Sequence, residues 1–166
     1  PEITNAGVSR GASNINSYRM TSYLGRLNYD YAGKYYVSGS FRRDGSSRLS
    51  RDSRWGNFWS VSGSWRLSQE AFMESLSNVI TDAKIRASYG VNGTQPKDYY
   101  GYMGVYEFGY NYNGNGGSSE ARFYNPSLKW EKNYATNIGI DLTLFNRLTV
   151  SAEWYNRETK DLLMDK

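Results

Sequence analysis

Residues 130–144 alternate with a period of two between a mainly apolar or aromatic face and a mainly polar face. Ile138 and Ile140 stand on one face, whereas Asn137 and Asp141 stand on the other. Successive side chains of a β-strand point to opposite faces, and a strand in a globular protein usually has about 5–6 residues. A strand that crosses a bilayer at a tilt needs about 9–11 residues. The alternation therefore predicts a transmembrane β-strand.

The same two-faced pattern recurs along the chain, with connections of two lengths. The predicted strands span about residues 20–31, 34–43, 57–68, 82–92, 129–145 and 148–160. Long loops are predicted at 44–56 and 93–128, and an initial loop at 1–17, while the other links are short, one of them with a helical turn around 71–76. Outer-membrane barrels place short turns on the periplasmic side and long loops outside. We therefore expect residues 1–166 to be part of one all-β, antiparallel up-and-down transmembrane β-barrel, with extracellular long loops.

Tyrosine and tryptophan collect near the expected strand ends, and the strand middles are aliphatic. Such rings suit a membrane–water boundary, because each combines an apolar body with a polar tip. The expected membrane-girdle aromatics are Tyr29, Tyr31, Tyr35, Trp59, Trp65, Trp130 and Trp154.

The composition excludes several classes of function. The chain has no cysteine and no histidine, which removes disulfides, thiolate chemistry and imidazole-based catalysis or metal binding. Its 20 basic and 16 acidic residues are interspersed, so no basic stripe predicts nucleic-acid binding. No apolar run is long enough for a transmembrane helix, and no signal peptide is evident. We expect no cofactor, no metal and no enzymatic activity, and we expect the sequence to be a piece of a longer polypeptide.

The second long loop is rich in tyrosine. Its tyrosines are substrate-contact candidates, because such rings stack on sugars or peptides, although they also pack on one another. These candidates are Tyr99, Tyr100, Tyr102, Tyr106, Tyr110, Tyr112 and Tyr124. In the first long loop, Arg48, Arg51 and Arg54 are expected to be mainly solvated, and Asp44-Gly45 is expected to form a turn.

Several stretches resemble the barrel of SusC/RagA-type TonB-dependent outer-membrane transporters of Bacteroidetes. The matching segments are residues 41–48, 54–56, 60–62, 84–90, 125–131, 137–141 and 155–163. The resemblance implies a barrel of about 22 strands with a plug in its lumen. It also implies import of oligosaccharides or peptides, driven by TonB and the proton-motive force, with a SusD/RagB-like surface lipoprotein as partner. Because the sequence has neither plug nor TonB box, contact with TonB is expected through an N-terminal part that is missing here.

Two alternatives remain open from the residues. A soluble carbohydrate-binding β-module would explain the tyrosine-rich loop and the low mean hydropathy, −0.73. It would not explain aliphatic strand middles between aromatic ends. An outer-membrane barrel enzyme would generally need a histidine, or carboxylates with calcium, near a nucleophile, and the sequence has no histidine.

Overall fold

The structure is a computed structural model that describes residues 15–163, so most of the predicted loop 1–17 lies outside the described residues. The strands are β1 Met20–Tyr31, β2 Tyr35–Ser46, β3 Trp55–Arg66, β4 Ile80–Thr94, β5 Val105–Tyr112, β6 Asn115–Arg122, β7 Glu131–Leu144 and β8 Leu148–Lys160. Two 3-10 helices, Leu67–Gln69 and Ala71–Leu76, connect β3 to β4, where the sequence predicts a helical turn.

Six strands form one sheet in the order β1-β2-β3-β4-β7-β8, and β5 and β6 form a separate hairpin. Every pairing is antiparallel. The up-and-down order confirms the predicted fold class, because strands that are sequential in the chain are neighbours except where the hairpin is inserted between β4 and β7. Among residues 15–163 the sheet does not close, and β1 and β8 are its two edges.

The pairing register preserves the two-faced pattern across the sheet. Leu27, Gly39, Val61 and Tyr89 form one continuous row on what we call the apolar face. In the neighbouring row, Gly25 lies opposite Phe41. Small residues thus alternate with large ones, and a single-residue slip would move every apolar side chain to the other face. The opposite side, the polar face, carries mostly serine, asparagine and charged side chains.

Two tight turns join neighbouring strands at what we call the short-turn end of the sheet. Ala32 and Gly33 have φ of 56° and 66°, and the amide of Lys34 donates to the carbonyl of Tyr31. Phe145 and Asn146 have φ of 51° and 53° in the turn between β7 and β8. Positive φ at both central residues is the type I′ geometry, whose twist matches that of the flanking strands.

The two long connections are more structured than the sequence predicts. Strand β2 continues to Ser46 and β3 begins at Trp55, which reduces the expected loop 44–56 to residues 47–54. The expected turn at Asp44-Gly45 is wrong, because both residues lie in β2 and pair with β3. The second connection, between β4 and β7, contains the hairpin β5–β6, and we call this side of the sheet the long-loop end.

Few side chains are buried, because the sheet has no second layer among residues 15–163. The buried apolar residues are Leu49, Phe58, Ala83, Val91 and Trp130. Most large side chains of the apolar face are exposed, which is unusual for a protein surrounded by water. Within the described part of the chain, no helix has the length and hydropathy to cross a membrane.

Candidate functional site

The polar face carries an ion-pair ladder across three strands. The Arg86 guanidinium lies 3.2 Å (Nε) from an Asp141 carboxylate oxygen and 3.1 Å (Nη2) from a Glu153 carboxylate oxygen. A Cβ atom on Gly139 would come within 2.8 Å of Arg86 Cζ, so the glycine lets the arginine lie across β7 toward β8. These charges satisfy one another beside water, as expected for the wall of a wet lumen.

Short polar side chains continue this face between the charged residues. Ser38 Oγ donates to Asn28 Oδ1 over 2.8 Å, and the hydroxyls of Ser40 and Ser60 are 2.7 Å apart. Near the short-turn end, Arg66 Nε lies 3.0 Å from an Asp82 carboxylate oxygen. A shallow concavity on this face is lined by Asn28 and Ser38 together with Lys84 and Arg86. The arrangement offers hydrogen-bonding groups but, among the described residues, no group of three His, Cys, Asp or Glu that could hold a metal ion.

The long-loop end contains a compact apolar cluster beside the polar face. Leu49, Phe58 and Trp130 are at most 4% exposed, and Leu128 packs against them. The Phe58 and Trp130 rings meet edge to face with centroids 5.4 Å apart. The indole Nε1 of Trp130 donates to the carbonyl oxygen of Arg54 over 3.0 Å. We call Leu49, Phe58, Leu128 and Trp130 the loop-end core.

This core corrects the prediction for Trp130. Trp130 lies just before β7 and packs on Phe58, which pairs with Arg42 in β2, so its ring is covered by protein. Because it is buried, Trp130 is not a girdle residue. The alternation alone could not show this, since the two-residue period already includes Trp130, one residue before β7 begins.

Strand β2 ends in a buried polar segment next to the core. Asp44 and Ser46 are fully buried, and Arg42 Nε lies 2.8 Å from an Asp44 carboxylate oxygen. Ser46 Oγ donates to Gln95 Oε1, and Ser50 Oγ donates to the carbonyl of Pro126. The first long loop is therefore packed beneath the second, and the expectation that it is a solvated loop is wrong in large part.

Arg48 shows the same packing. Its guanidinium carbon lies 4.2 Å from the ring centroid of Tyr18 and 4.6 Å from that of Tyr99. Arg48 Nη1 also donates to the carbonyl of Pro96 over 3.0 Å. Cation–π contacts on two rings hold the segment before β1, the first long loop and the second long loop together. The ring of Tyr99, one of the substrate-contact candidates, therefore packs against Arg48 within the fold.

The remaining tyrosine candidates whose side chains the structure describes do not form one cluster. Tyr106 and Tyr110 lie on β5 and are 59% and 52% exposed, while Tyr100 and Tyr124 are exposed beside the hairpin base. Tyr102 is partly buried, and its carbonyl accepts a hydrogen bond from the Asn125 amide. The side chain of Tyr112 is outside the described part of the structure.

The exposed aromatic residues of β5 lie opposite small residues of β6 in the hairpin. Phe108 lies between the two exposed tyrosines of β5, is 83% exposed, and was missed by the sequence reasoning. Opposite it, β6 supplies small residues, with Ser118 paired to Phe108 and Gly117 to Tyr110. The sequence signal for this hairpin is Asn113-Gly114, because Asn-Gly is a strong indicator of a hairpin turn. Both residues have positive φ in the turn between β5 and β6.

An aromatic belt follows the apolar face at the short-turn end. The rings of Tyr35 and Trp65 are stacked with centroids 6.1 Å apart, and the Tyr31 ring is 6.4 Å from that of Tyr35. Tyr29 and Tyr31 are each 60% exposed. The four aromatics that the sequence assigned to this belt thus share the apolar face.

One carboxylate organises the belt. Glu70 accepts hydrogen bonds from Tyr35 Oη at 2.6 Å, Trp65 Nε1 at 3.1 Å and Lys34 Nζ at 3.1 Å. These bonds hold the pKa of Glu70 below its usual value, because they stabilise the ionised carboxylate. The bond from Tyr35 has the largest effect. No local pattern in the sequence indicates this role of Glu70, since its partners are five and about 35 residues away along the chain.

The aromatic residues toward the other end are less uniform. Trp59 is exposed and meets Tyr89 edge to face at 5.6 Å. Trp154 lies at the middle of β8, directly opposite Ile138, so its place in a girdle stays a prediction that depends on strand tilt. Trp55, which the sequence reasoning did not select, stacks on Tyr23 and fills the space that a Cβ atom on Gly45 would occupy.

Comparison with known proteins gives consistent matches. The family model described as "TonB dependent receptor-like, beta-barrel" matches residues 2–166. TonB-dependent receptor P39 of Formosa agariphila is 39% identical over 148 residues, which cover 89% of this chain and 14% of the relative. TonB-dependent receptor SusC of Bacteroides thetaiotaomicron is 37% identical over 155 residues, or 87% of this chain and 15% of the relative.

Solved structures show the same relationship. The structure of the RagAB peptide transporter superposes with a TM-score of 0.79 at 30% identity, covering 90% of this chain and 16% of the matched chain. The chain thus spans only about one-seventh of the length of the curated relatives it matches. The matched proteins are named as receptors and a peptide transporter, not as enzymes, and none supports a soluble carbohydrate-binding module. The chain therefore belongs to the TonB-dependent receptor-like β-barrel family of the outer membrane, as a barrel segment of SusC/RagA type.

Proposed function

We propose that this chain forms part of the wall of a TonB-dependent outer-membrane importer, with its apolar face toward lipid and its polar face toward the lumen. The observation that carries the proposal is one six-stranded sheet with a mainly apolar and aromatic face and a mainly polar face. Lipid can cover an apolar face that no second protein layer covers, while a polar lumen solvates the other face. The family match supports the same orientation.

The cargo of the proposed importer is a peptide or an oligosaccharide. The structural relative is named a peptide transporter, and this supports a peptide cargo. The exposed rings of Tyr106, Phe108 and Tyr110 suit either class, because aromatic faces pack against sugar rings and peptide side chains alike. We also propose that the tyrosine candidates contact the cargo. Tyr106 and Tyr110 are the strongest candidates because they are exposed, and Tyr99 is the weakest because Arg48 covers its ring.

Transport through such a wall needs an energy source and a regulated opening. A barrel of about 22 strands has a lumen wide enough to require a plug. We assign energy supply to TonB and the proton-motive force, through a part of the protein outside this sequence. We assign the regulated opening to a SusD/RagB-like surface lipoprotein that covers the barrel as a lid. It would bind at the long-loop end, where the hairpin β5–β6 extends from the sheet.

Uptake by cells tests the transport proposal. Source cells with and without the gene for the full transporter would receive a fluorescently labelled oligopeptide pool or a labelled oligosaccharide pool, with and without a protonophore. We expect uptake of one pool to require the gene and to stop with the protonophore. Uptake of both pools without the gene would contradict the transport role, and gene-dependent uptake that survives the protonophore would contradict TonB coupling.

The hairpin is tested in the same assay. Replacing Tyr106, Phe108 and Tyr110 together by serine should lower uptake several-fold if these rings contact cargo. The matched control is Ser118→Ala with Ser119→Ala on the partner strand, which should leave uptake unchanged. Equal uptake by both variants would show that the three rings do not contact the cargo, and it would leave the transport proposal intact.

Surface labelling tests which side of the membrane the loops occupy. Asn113→Cys, in the turn of the hairpin, should react with a membrane-impermeant maleimide on intact cells. Asn146→Cys, in the turn between β7 and β8, should react only after the outer membrane has been permeabilised. The reverse result would invert the proposed orientation.

A further inference from the structure

The connection between β3 and β4, residues 67–79, exposes apolar side chains beyond the strand ends. Phe72 is 62% exposed, Leu76 46% and Val79 42%. No residue of either 3-10 helix in this connection is buried. A link that only reversed the chain in water would be expected to be polar, with turn-forming residues. We call this connection the foot.

The second helix of the foot separates apolar from charged residues around its axis. A 3-10 helix advances about 120° per residue. Glu74 therefore projects opposite the midpoint between Phe72 and Leu76, and Ser77 lies directly above Glu74 on the same side. Ser75 lies above Phe72 and Ala71 below Glu74, so the separation is between the carboxylate of Glu74 and the large apolar side chains.

Contacts with the aromatic belt show which way the foot turns. The Phe72 ring meets the Trp65 ring edge to face with centroids 6.4 Å apart. Trp65 stands on the apolar face and stacks on Tyr35, so Phe72 extends the apolar face and not the lumen side. Glu70 fixes this arrangement, because it accepts hydrogen bonds from Tyr35, Trp65 and Lys34.

The next turn along the same end continues the apolar surface. The amide of Phe145 donates to the carbonyl of Val79 over 2.9 Å, which joins the foot to the β7–β8 turn. Phe145 has φ of 51° and is 61% exposed. Positive φ is uncommon for a bulky residue, and glycine or asparagine is the ordinary choice in such a turn. An exposed phenylalanine at this position therefore points to an apolar surrounding.

We propose that the foot is a lipid-contacting anchor, in which Phe72, Leu76 and Val79 enter the boundary between headgroups and acyl chains of the leaflet at the short-turn end. Amphipathic segments lie in this boundary with their apolar side inward, and tyrosine and tryptophan mark the same depth. The occupant is a zwitterionic phospholipid surface, because Lys34 already pairs with Glu70 and the exposed carboxylate of Glu74 would repel an anionic surface. The anchor fixes the depth of the wall in the bilayer, and it rests on the proposed membrane orientation.

Site-directed spin labelling of the full transporter tests the anchor. The protein, without other cysteines, is reconstituted in liposomes of phosphatidylethanolamine and phosphatidylcholine. Phe72→Cys and Leu76→Cys are labelled separately, with Glu74→Cys as the matched control on the same helix. Val61→Cys in a strand middle reports lipid, and Asn113→Cys in the hairpin turn reports water. Collision with oxygen, which favours lipid, is compared with collision with a water-soluble nickel chelate.

Labels at positions 72 and 76 should collide more with oxygen than with nickel, as the Val61 label does, while the label at 74 should favour nickel. If position 72 disturbs the Trp65 contact, Val79→Cys supplies another apolar position. Nickel accessibility at 72, 76 and 79, with oxygen accessibility at 61, would overturn the anchor and leave the membrane orientation intact. Labels shielded from both reagents would show that protein covers the foot, and this would also overturn the proposal. Nickel accessibility at 61 as well would contradict the membrane orientation itself.

Discussion

The two ends of the six-stranded sheet are stabilised in different ways. At the long-loop end, Leu49, Phe58 and Trp130 exclude water from a core made wholly by this chain. At the short-turn end, the foot has no buried residue in its helices, and hydrogen bonds to Glu70 hold exposed rings in place. The long-loop end therefore depends on internal packing, whereas the short-turn end and the strand middles depend on what surrounds the barrel.

This difference has a physical reason. Lipid covers an apolar strand middle without any contribution from the protein, so a barrel wall needs no core of its own there. Loops that extend into water receive no such cover, and they must bury their own apolar groups to become ordered. The packing of Arg48 between Tyr18 and Tyr99 serves the same purpose at the loop surface.

Removing the centre of the loop-end core should have the largest effect. Phe58→Ala deletes a buried ring between Leu49 and Trp130, and such a change typically destabilises by about 3–5 kcal/mol. Urea unfolding of the full transporter in detergent, read from Trp fluorescence, measures the loss. Val61→Ala on the exposed apolar face is the control and should lose much less. An equal loss at the two positions would contradict the distinction between the two regions.

A charge on the apolar face tests the dependence on lipid. Ile140→Arg should destabilise the barrel in a bilayer by about 2–4 kcal/mol, because an arginine near the membrane midplane is poorly solvated. Asn137→Arg, on the polar face, should be mild. Folding yield and urea midpoint in lipid vesicles compare the two variants. If Asn137→Arg were as harmful as Ile140→Arg, the outward assignment of Ile140 would be wrong.

Adding one methyl group separates a packed position from an open one. A Cβ atom on Gly93 would lie 2.0 Å from Phe58 Cζ, so Gly93→Ala must displace a buried ring. Overpacking of this kind costs about 1–3 kcal/mol. A Cβ atom on Gly63 meets nothing closer than 3.9 Å, so Gly63→Ala is the control and should be nearly neutral in the same unfolding assay. Similar losses for both would show that the loop-end core tolerates extra volume.

The smallest expected effect is on the pH dependence at the short-turn end. Hydrogen bonds lower the pKa of Glu70 in the folded state. Its contribution to the free energy of unfolding is therefore complete well above its ordinary pKa of 4.5 and is lost as the pH falls through the lowered pKa. Glu70→Gln should therefore reduce the urea midpoint at pH 7 slightly, with a difference from the parent protein that shrinks as the pH falls below the ordinary pKa of Glu70. Glu74→Gln is the control. A difference that stays constant with pH would exclude ionisation of Glu70 as the cause.

The sheet was largely predictable because each strand carries its own two-residue period. The alternation from Trp59 to Arg66 lies within β3 and needs no knowledge of β2 or β4. The aromatic positions Tyr35 and Trp65 were also visible, since they stand at strand ends. The hairpin β5–β6 has no such period, and its one local signal is the turn sequence Asn113-Gly114.

The sequence by itself determined the fold class, the two faces of the wall and the short-turn belt, because alternation and aromatic placement are local properties of each strand. Only the tertiary structure decided that Trp130 is buried on Phe58, that Asp44 lies within β2 and that Glu70 joins Lys34, Tyr35 and Trp65. Each of these joins residues far apart in the chain or beyond the end of a strand. Such contacts depend on how the paired strands and loops meet in space, which no local period encodes.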